Sequence, residues 1–299
     1  MTRDGLQAGL DAVNTVHTLL DQLGVRSVGA SSFEGDLTAV PHGRAFGGQV
    51  LGQAVMSGAR TAPGHVFPTS LHAYFVSAAA SGQPASYEVE VTRDGARFAW
   101  RRVTAKQRDR IVVDALMCFQ RSAPASRSAA LPEHLVDPED LDSATAMAAA
   151  AGPELDWFFR RHGDLALEAR YPLAPPPIRV AQGDWTLAQD VWLRAELPPK
   201  MSWAARGAVL AFMSDVSLVA TPLVALGRTG RAVDTSGATF DHQMQFHSAE
   251  HAVDGWLFFE QSADFVLDGV ISASGQILAR DGSVLVTVRQ HGLALGGSQ

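Results

Sequence analysis

The sequence predicts an α+β fold built from two copies of one unit, and three observations lead there. A largely apolar helical stretch, Gln49 to Arg60, is followed by four runs rich in apolar, β-branched and aromatic residues at 66–76, 85–93, 97–106 and 110–120. One helix and then a meander of strands is an α+β arrangement. The same order returns late in the chain, with a buried helix near 203–225 and strands near 241–247, 256–265, 269–279 and 283–290. Individual residues also recur at a fixed distance. Ala45, Phe46, Gln49, Val50 and Ala54 match Ala211, Phe212, Asp215, Val216 and Ala220 at an offset of 166. Thr69, His72, Glu90, Asp94 and Gln120 match Thr239, His242, Glu260, Asp264 and Gln290 at an offset of 170, so four residues are inserted between helix and strands of the second copy.

Each element has a local reason. Leu6, Leu10, Val13, Val16, Leu20 and Leu23 are spaced by three and four, which predicts an amphipathic helix over 6–24. Gly43 to Gly48 reads as a loop leading into the helix at Gln49. Arg93-Asp-Gly95 and Gln107 to Arg110 are the turns between the later strands of the first copy. Residues 122–185 change character, being rich in Ala, Pro and Ser with Pro175-Pro-Pro177, and read as a linker. Within it a short helix is expected near Glu154 to Arg161, and Trp157-Phe-Phe159 is read as pinning the linker to the domains. A strand at 189–195 opens the second copy. The domains are therefore placed at 1–121 and 186–299, with 122–185 between them.

Composition narrows the function. Of 299 residues 46% are hydrophobic and 18% charged, enough for a large packed core. A net charge of −7 argues against nucleic acid as a partner, since phosphate binding needs clustered cations. The lone cysteine, Cys118 in Asp114-Ala-Leu-Met-Cys-Phe119, cannot close an internal disulfide and reads as a small buried hydrophobe. The first ten residues carry an early acid and no apolar run, unlike a signal peptide. The span Trp203 to Leu226 is interrupted by Arg206 and Asp215, which suits a buried helix better than a bilayer. No membrane is expected, and a cytoplasmic location is.

Asp215 is the residue that stands out. It replaces the neutral Gln49 of the first copy and lies in Ala208-Val-Leu-Ala-Phe-Met-Ser-Asp-Val-Ser-Leu-Val-Ala220. A carboxylate there loses hydration at a cost of several kcal/mol unless donors surround it. It is either a helix cap or partner of an arginine, or a general base that orients water. Thr239 opens the strand ending at Phe246, and Gln290 closes the strand beginning at Val284. Both donate and accept hydrogen bonds, as holding a water requires, and either also suits the end of a sheet. His242, His247 and His251 have the spacing of neither a helix face nor a strand face, so no metal site is expected.

The chain resembles the type II acyl-coenzyme A thioesterases. The resemblance runs from about Leu19 to Leu293, on Phe46-Gly-Gly-Gln-Val-Leu-Gly-Gln-Ala54, Leu71-His-Ala-Tyr-Phe75, the run from Arg93 to Val103, Gln189-Asp-Val-Trp-Leu-Arg-Ala195, Met213-Ser-Asp-Val216, Thr239-Phe-Asp-His242 and Val288-Arg-Gln290. It implies a double hotdog: two antiparallel sheets, each wrapping a central helix. It further implies hydrolysis of an acyl-coenzyme A thioester by a water held at Asp215, Thr239 and Gln290, without cofactor or covalent intermediate. The absence of a Gly-x-Ser-x-Gly elbow fits. Gly47, Gly48 and Gln49 are the expected substrate-binding residues. The glycines either bring backbone N–H groups to the oxyanion or serve tight helix packing. The Arg-Pro pair that tends to follow the aromatic strand in that family is absent after Phe75 and after Phe246. Exposed sheet edges lead to the expectation of a homo-oligomer, and the competing reading is a protein that binds acyl thioesters without cleaving them.

Overall fold

Alternation in the sequence becomes alternation in burial. Ala85, Tyr87 and Val89 point inward from one strand, Ala99, Val103 and Ala105 from the next, and Val113, Ala115, Met117 and Phe119 from a third. Such strands pair antiparallel and lay one face on a core. The computed structural model describes residues 18–40, 43–64, 66–121, 127–133, 135–151, 165–175, 178–179, 182–226, 236–247 and 253–295. The expected helix at Glu154 to Arg161, the Trp157 to Phe159 cluster, His251, and all of the first helix before residue 18 lie outside these residues.

The first half contains α1 (Leu19–Leu23), β1 (Arg26–Ser27), β2 (Ser32–Asp36), α2 (Gly47–Thr61), β3 (Phe67–Phe75), β4 (Pro84–Asp94), β5 (Phe98–Gln107) and β6 (Arg110–Gln120). The second contains β9 (Ala188–Arg194), α4 (Trp203–Met213), a 3-10 segment Leu218–Leu226, β10 (Ser236–Phe246), β11 (Leu257–Leu267), β12 (Val270–Ala279) and β13 (Ser283–Leu295). The stretch between them supplies β7 (Arg127–Ser128), α3 (Ala144–Ala151) and β8 (Glu168–Arg170). β7 pairs with β13 and β8 with β9, so the linker adds strands to the sheet.

The halves join edge to edge through β3 and β10, giving one sheet in the order β1-β2-β4-β5-β6-β3-β10-β13-β12-β11-β9-β8. The seam refines the repeat. His72 pairs with Gln243, Leu71 with Met244 and Ala73 with His242. An offset of 171 exchanges the last two pairs and leaves the first alone, whereas 170 does not. Both copies carry a bulge at that offset, at Thr69 of β3 and at Phe240 of β10, so the bulge is itself part of the repeat. The match of His72 with His242 is therefore one residue out of step in space.

α2 is buried around its circumference because sheet and helix both cover it. It packs antiparallel on α4 at close range. A Cβ on Gly48 would stand 2.5 Å from Phe212 O, and one on Gly52 would stand 2.9 Å from Ala208 O. Only glycine permits that approach. The rings of Phe46 and Phe212 meet edge to face, 4.9 Å between centroids. Arg101 points into this core fully buried. It donates to Thr61 O (2.9 Å) and Thr61 Oγ1 (2.8 Å) at the end of α2 and pairs with Asp94 at 2.8 Å. Cys118 is only half-buried.

The helix expected at 203–225 is broken. α4 ends at Met213, the chain turns through 214–217, and a 3-10 segment follows. Ser217 takes the left-handed region at φ 61°, which an α-helix cannot contain. Pro222 within the 3-10 segment removes a donor and discourages an α-helical ladder. The chain Trp203–Leu223 is long and apolar enough to cross a membrane, but here it is core, packed on α2.

Candidate active site

The break after α4 is what sets Asp215 outside the helix. Its backbone bonds only weakly to Phe212 O, at 3.4 Å, and its side chain projects from the turn rather than from a helix face. Gln261 of β11 fastens the turn. It donates to Val216 O (3.2 Å) and Ser217 Oγ (2.9 Å) and accepts from Thr221 Oγ1 (3.0 Å). Those bonds offset the cost of Ser217's left-handed backbone, of order 1–2 kcal/mol.

Asp215 is 8% exposed and meets Gln290 of β13, whose Nε2 donates to Asp215 Oδ1. The same amino group lies 2.6 Å from His242 Nδ1. On its other side, His242 Nε2 lies 2.9 Å from Ser214 Oγ, which donates to Ala211 O at 2.9 Å. His242 and Gln290 are register partners, both turned inward. Burial pushes the His242 imidazole down to about 3, with the nearby Asp241 carboxylate acting in the opposite direction.

Thr239 reaches the same face by way of the bulge. Regular alternation would set it on the side of Asp241, three residues before the inward His242. With Phe240 looped out, it pairs instead with Gly292, two residues from Gln290 along β13. Gly237 and Gly292 both face Val219 of the 3-10 segment, which confirms the inward side. No direct hydrogen bond joins Thr239 to Asp215 or Gln290 among the described residues. Diagonal neighbours on a regular ladder are about 7–8 Å apart, a span that side chains and one water can bridge.

The other half of the molecule completes the surroundings. The start of α2 abuts Asp215: a Cβ on Gly47 would lie 2.7 Å from Asp215 Oδ2 and 3.0 Å from the Phe75 ring. The N-cap Phe46 offers no side-chain acceptor, and the Gly47 and Gly48 N–H groups have no protein partner among the described residues. The positive end of a 15-residue helix thus faces the carboxylate. Gly48 serves helix packing, one of the two expectations for the glycines, and Gly47 makes room for Asp215. Gln49 lies elsewhere. Its amide donates to Gln22 O (2.9 Å) and Asp36 O (3.1 Å) and accepts from Thr38 N (3.0 Å), tying α1 and β2 to α2. In the first copy, Thr69 Oγ1 donates to Cys118 O at 3.0 Å.

Residues 38–120 match the family described as the acyl-CoA thioesterase N-terminal domain, and residues 132–294 match the acyl-CoA thioesterase C-terminal domain. The chain belongs to the type II acyl-CoA thioesterase family. Acyl-coenzyme A thioesterase 8 of Homo sapiens is 29% identical over 287 residues, covering 87% of this chain and 83% of that protein. An acyl-CoA thioesterase II, TesB2, from Mycobacterium marinum superposes with TM-score 0.66 at 25% identity, covering 94% of this chain and 98% of that one. A protein with a hot dog fold from Alicyclobacillus acidocaldarius superposes with TM-score 0.73 at 18% identity, covering 95% and 100%. The α+β double hotdog is therefore the architecture of this thioesterase family member, its two sheets fused at β3–β10.

Sequence reasoning singled out Asp215, Thr239 and Gln290 but left His242 and Ser214 unconnected to them. The offset of 170 paired His242 with His72, which faces the outer side of the sheet and bonds Asp241 at 3.0 Å. A signal was available. His242, Met244 and Phe246 form a period-2 inward set, and it places the imidazole beside the helix break. Among the described residues no group of His, Cys, Asp and Glu forms a metal-binding cluster.

Proposed function

We propose that the protein hydrolyses acyl-coenzyme A thioesters to a free acid and coenzyme A by direct attack of one water bound at Asp215, Gln290 and Thr239. The observation that carries this reading is the buried carboxylate of Asp215, bonded to Gln290 and set against the uncapped start of α2. Asp215 Oδ2 is the base. It takes a proton from the water while the hydroxyl oxygen forms a bond to the thioester carbonyl carbon. Thr239 and Gln290 hold the water's position, which is where proximity contributes several kcal/mol. The carbonyl π electrons move to oxygen, and the Gly47 and Gly48 N–H groups meet the charge that develops there. Collapse re-forms the carbonyl and breaks the C–S bond. The thiolate leaves and receives the proton from Asp215.

The non-hydrolytic binding alternative has less support, because a buried acid and a carboxamide are costly to place together for binding alone. The test is thiol release from a ladder of acyl-coenzyme A chain lengths. Asp215→Asn should lower kcat by about 10²–10⁴-fold; unchanged turnover removes Asp215 from the mechanism. We further propose a cytoplasmic homo-oligomer. Phe265, Leu267 and Leu293 are exposed on β11 and β13, an apolar surface that association would cover. Sedimentation of the wild type against Leu267→Glu tests it, and a monomeric wild type overturns it.

A further inference from the structure

Fully buried His242 has no part in the hydrolysis as described, yet it touches two of the groups around Asp215. With Asp215 ionised, one arrangement of protons satisfies its contacts, because the carboxylate needs a donor and the group between it and His242 is the amino end of Gln290. His242 Nε2 then carries the hydrogen, and Ser214 Oγ accepts it while its own proton has Ala211 O (2.9 Å) or Met244 Sδ (3.3 Å) to go to. Nδ1 is then a bare lone pair, and the group 2.6 Å from it must donate. That group is the amino end of Gln290, whose Nε2 also donates to Asp215 Oδ1. Turning the carboxamide over would place its oxygen against a carboxylate and an imidazole lone pair at once. The oxygen therefore points away from both. Gln290 Oε1 is buried and has no protein partner among the described residues.

We propose that His242 is a positioning residue of the hydrolytic site: a neutral imidazole whose Nδ1 locks the Gln290 carboxamide so that Oε1 is presented to the attacking water. The proposal rests on the hydrolytic reading above. Burial supports it by keeping the ring neutral, and Asp215 and Asp241 are the charged groups beside it. Nor can His242 serve as the base. Its one lone pair is occupied by Gln290 and its one hydrogen by Ser214. The histidine thus does for the amide what a second partner does for a metal-bound ligand, fixing orientation without touching the substrate.

The experiment compares thiol release by the wild type, His242→Leu, His242→Asn, Gln290→Ala and the double variant H242L/Q290A, each checked by thermal melting. Removing the Nδ1 acceptor should lower kcat by about 10–100-fold with KM nearly unchanged, the signature of lost alignment rather than lost binding. Asn, whose side-chain oxygen can stand where Nδ1 stood, should restore part of that loss. The double variant should be no slower than Gln290→Ala, because His242 acts only through Gln290. In the wild type, ¹⁵N spectra should show the Nε2–H form of His242 unchanged from pH 5 to 8. Wild-type kcat in His242→Leu, or a double variant slower by the full product of the two losses, overturns the proposal. So does an acid limb near pH 6.5 that disappears in His242→Asn, which would make the imidazole the base. If His242→Leu does not fold, the Asn variant and the wild-type ¹⁵N spectrum still decide. A wild type that releases no thiol defeats the hydrolytic reading instead, and the tautomer measurement stands apart from that outcome.

Discussion

Gly47→Ala separates the chemistry of this site from its stability. The added Cβ would stand 2.7 Å from Asp215 Oδ2 and 3.0 Å from two Phe75 ring carbons, where ordinary contact begins at 3.4 Å. Asp215 must then retreat by more than half an ångström or rotate. Misplacement of a reacting group by about 1 Å costs about 10²-fold, so kcat should fall by about 10–100-fold while KM changes little. Stability moves less, because alanine's helix propensity gains up to about 1 kcal/mol over glycine against a steric cost of about 1–3 kcal/mol. Gly48→Ala makes the contrast. Its Cβ meets backbone, Phe212 O at 2.5 Å, which cannot swing aside, so the α2–α4 packing must open and the melting temperature should drop by several degrees. Steady-state thiol release and thermal melting on both variants give the answer. Full kcat in Gly47→Ala would refute the placement of Asp215 against the start of α2.

Gln261→Leu should cost about 2–3 kcal/mol by stripping partners from Val216, Ser217 and Thr221, and kcat should fall with it, read by denaturant unfolding and turnover; wild-type values would show the break is held by other means. Asp190→Asn carries a pH signature. Burial first, and the facing Glu260 second, push the Asp190 carboxyl up to about 6, so the folded state holds its proton more tightly than the unfolded chain. Stability is then lost as pH rises from about 4 to 6 and stays lower above that. The Asn variant should be more stable than wild type at pH 7.5 by about 1–2 kcal/mol after allowance for solvent screening, and no different near pH 4. Equal melting shifts at both values would contradict it.

Much of this architecture is legible in the residues, for identifiable reasons. The strands from 84 to 120 alternate so regularly that Ala85, Tyr87, Ala99, Val103, Ala115 and Phe119 fall inward as the period-2 rule demands. Asp215 is conspicuous because a carboxylate inside an apolar run must be compensated. What the sequence does not reveal depends on single-residue events. The apolar run from Trp203 to Leu226 has no glycine at the break, which is made by Ser217 at φ 61° and held by Gln261, 44 residues distant. The bulge at Phe240 is equally local, yet it decides which face Thr239 and His242 occupy. Gln49 shows the reverse case. The residue match sets it against Asp215, but the reciprocal helix contacts Gly47–Asp215 and Val55–Gly207 put Val55 in that place, and Gln49, a neutral amide, satisfies three backbone groups and ties α1 and β2 to α2.

Direct attack by water at Asp215 is tested most sharply in a single turnover, with enzyme in excess over acyl-coenzyme A, in ¹⁸O-labelled water. Thiol and acid should appear at one shared rate, the acid should carry one ¹⁸O, and the mass of the intact protein should never increase. A burst of thiol ahead of acid, with an acyl group or an ¹⁸O atom retained on the chain, would show a covalent intermediate and contradict the account.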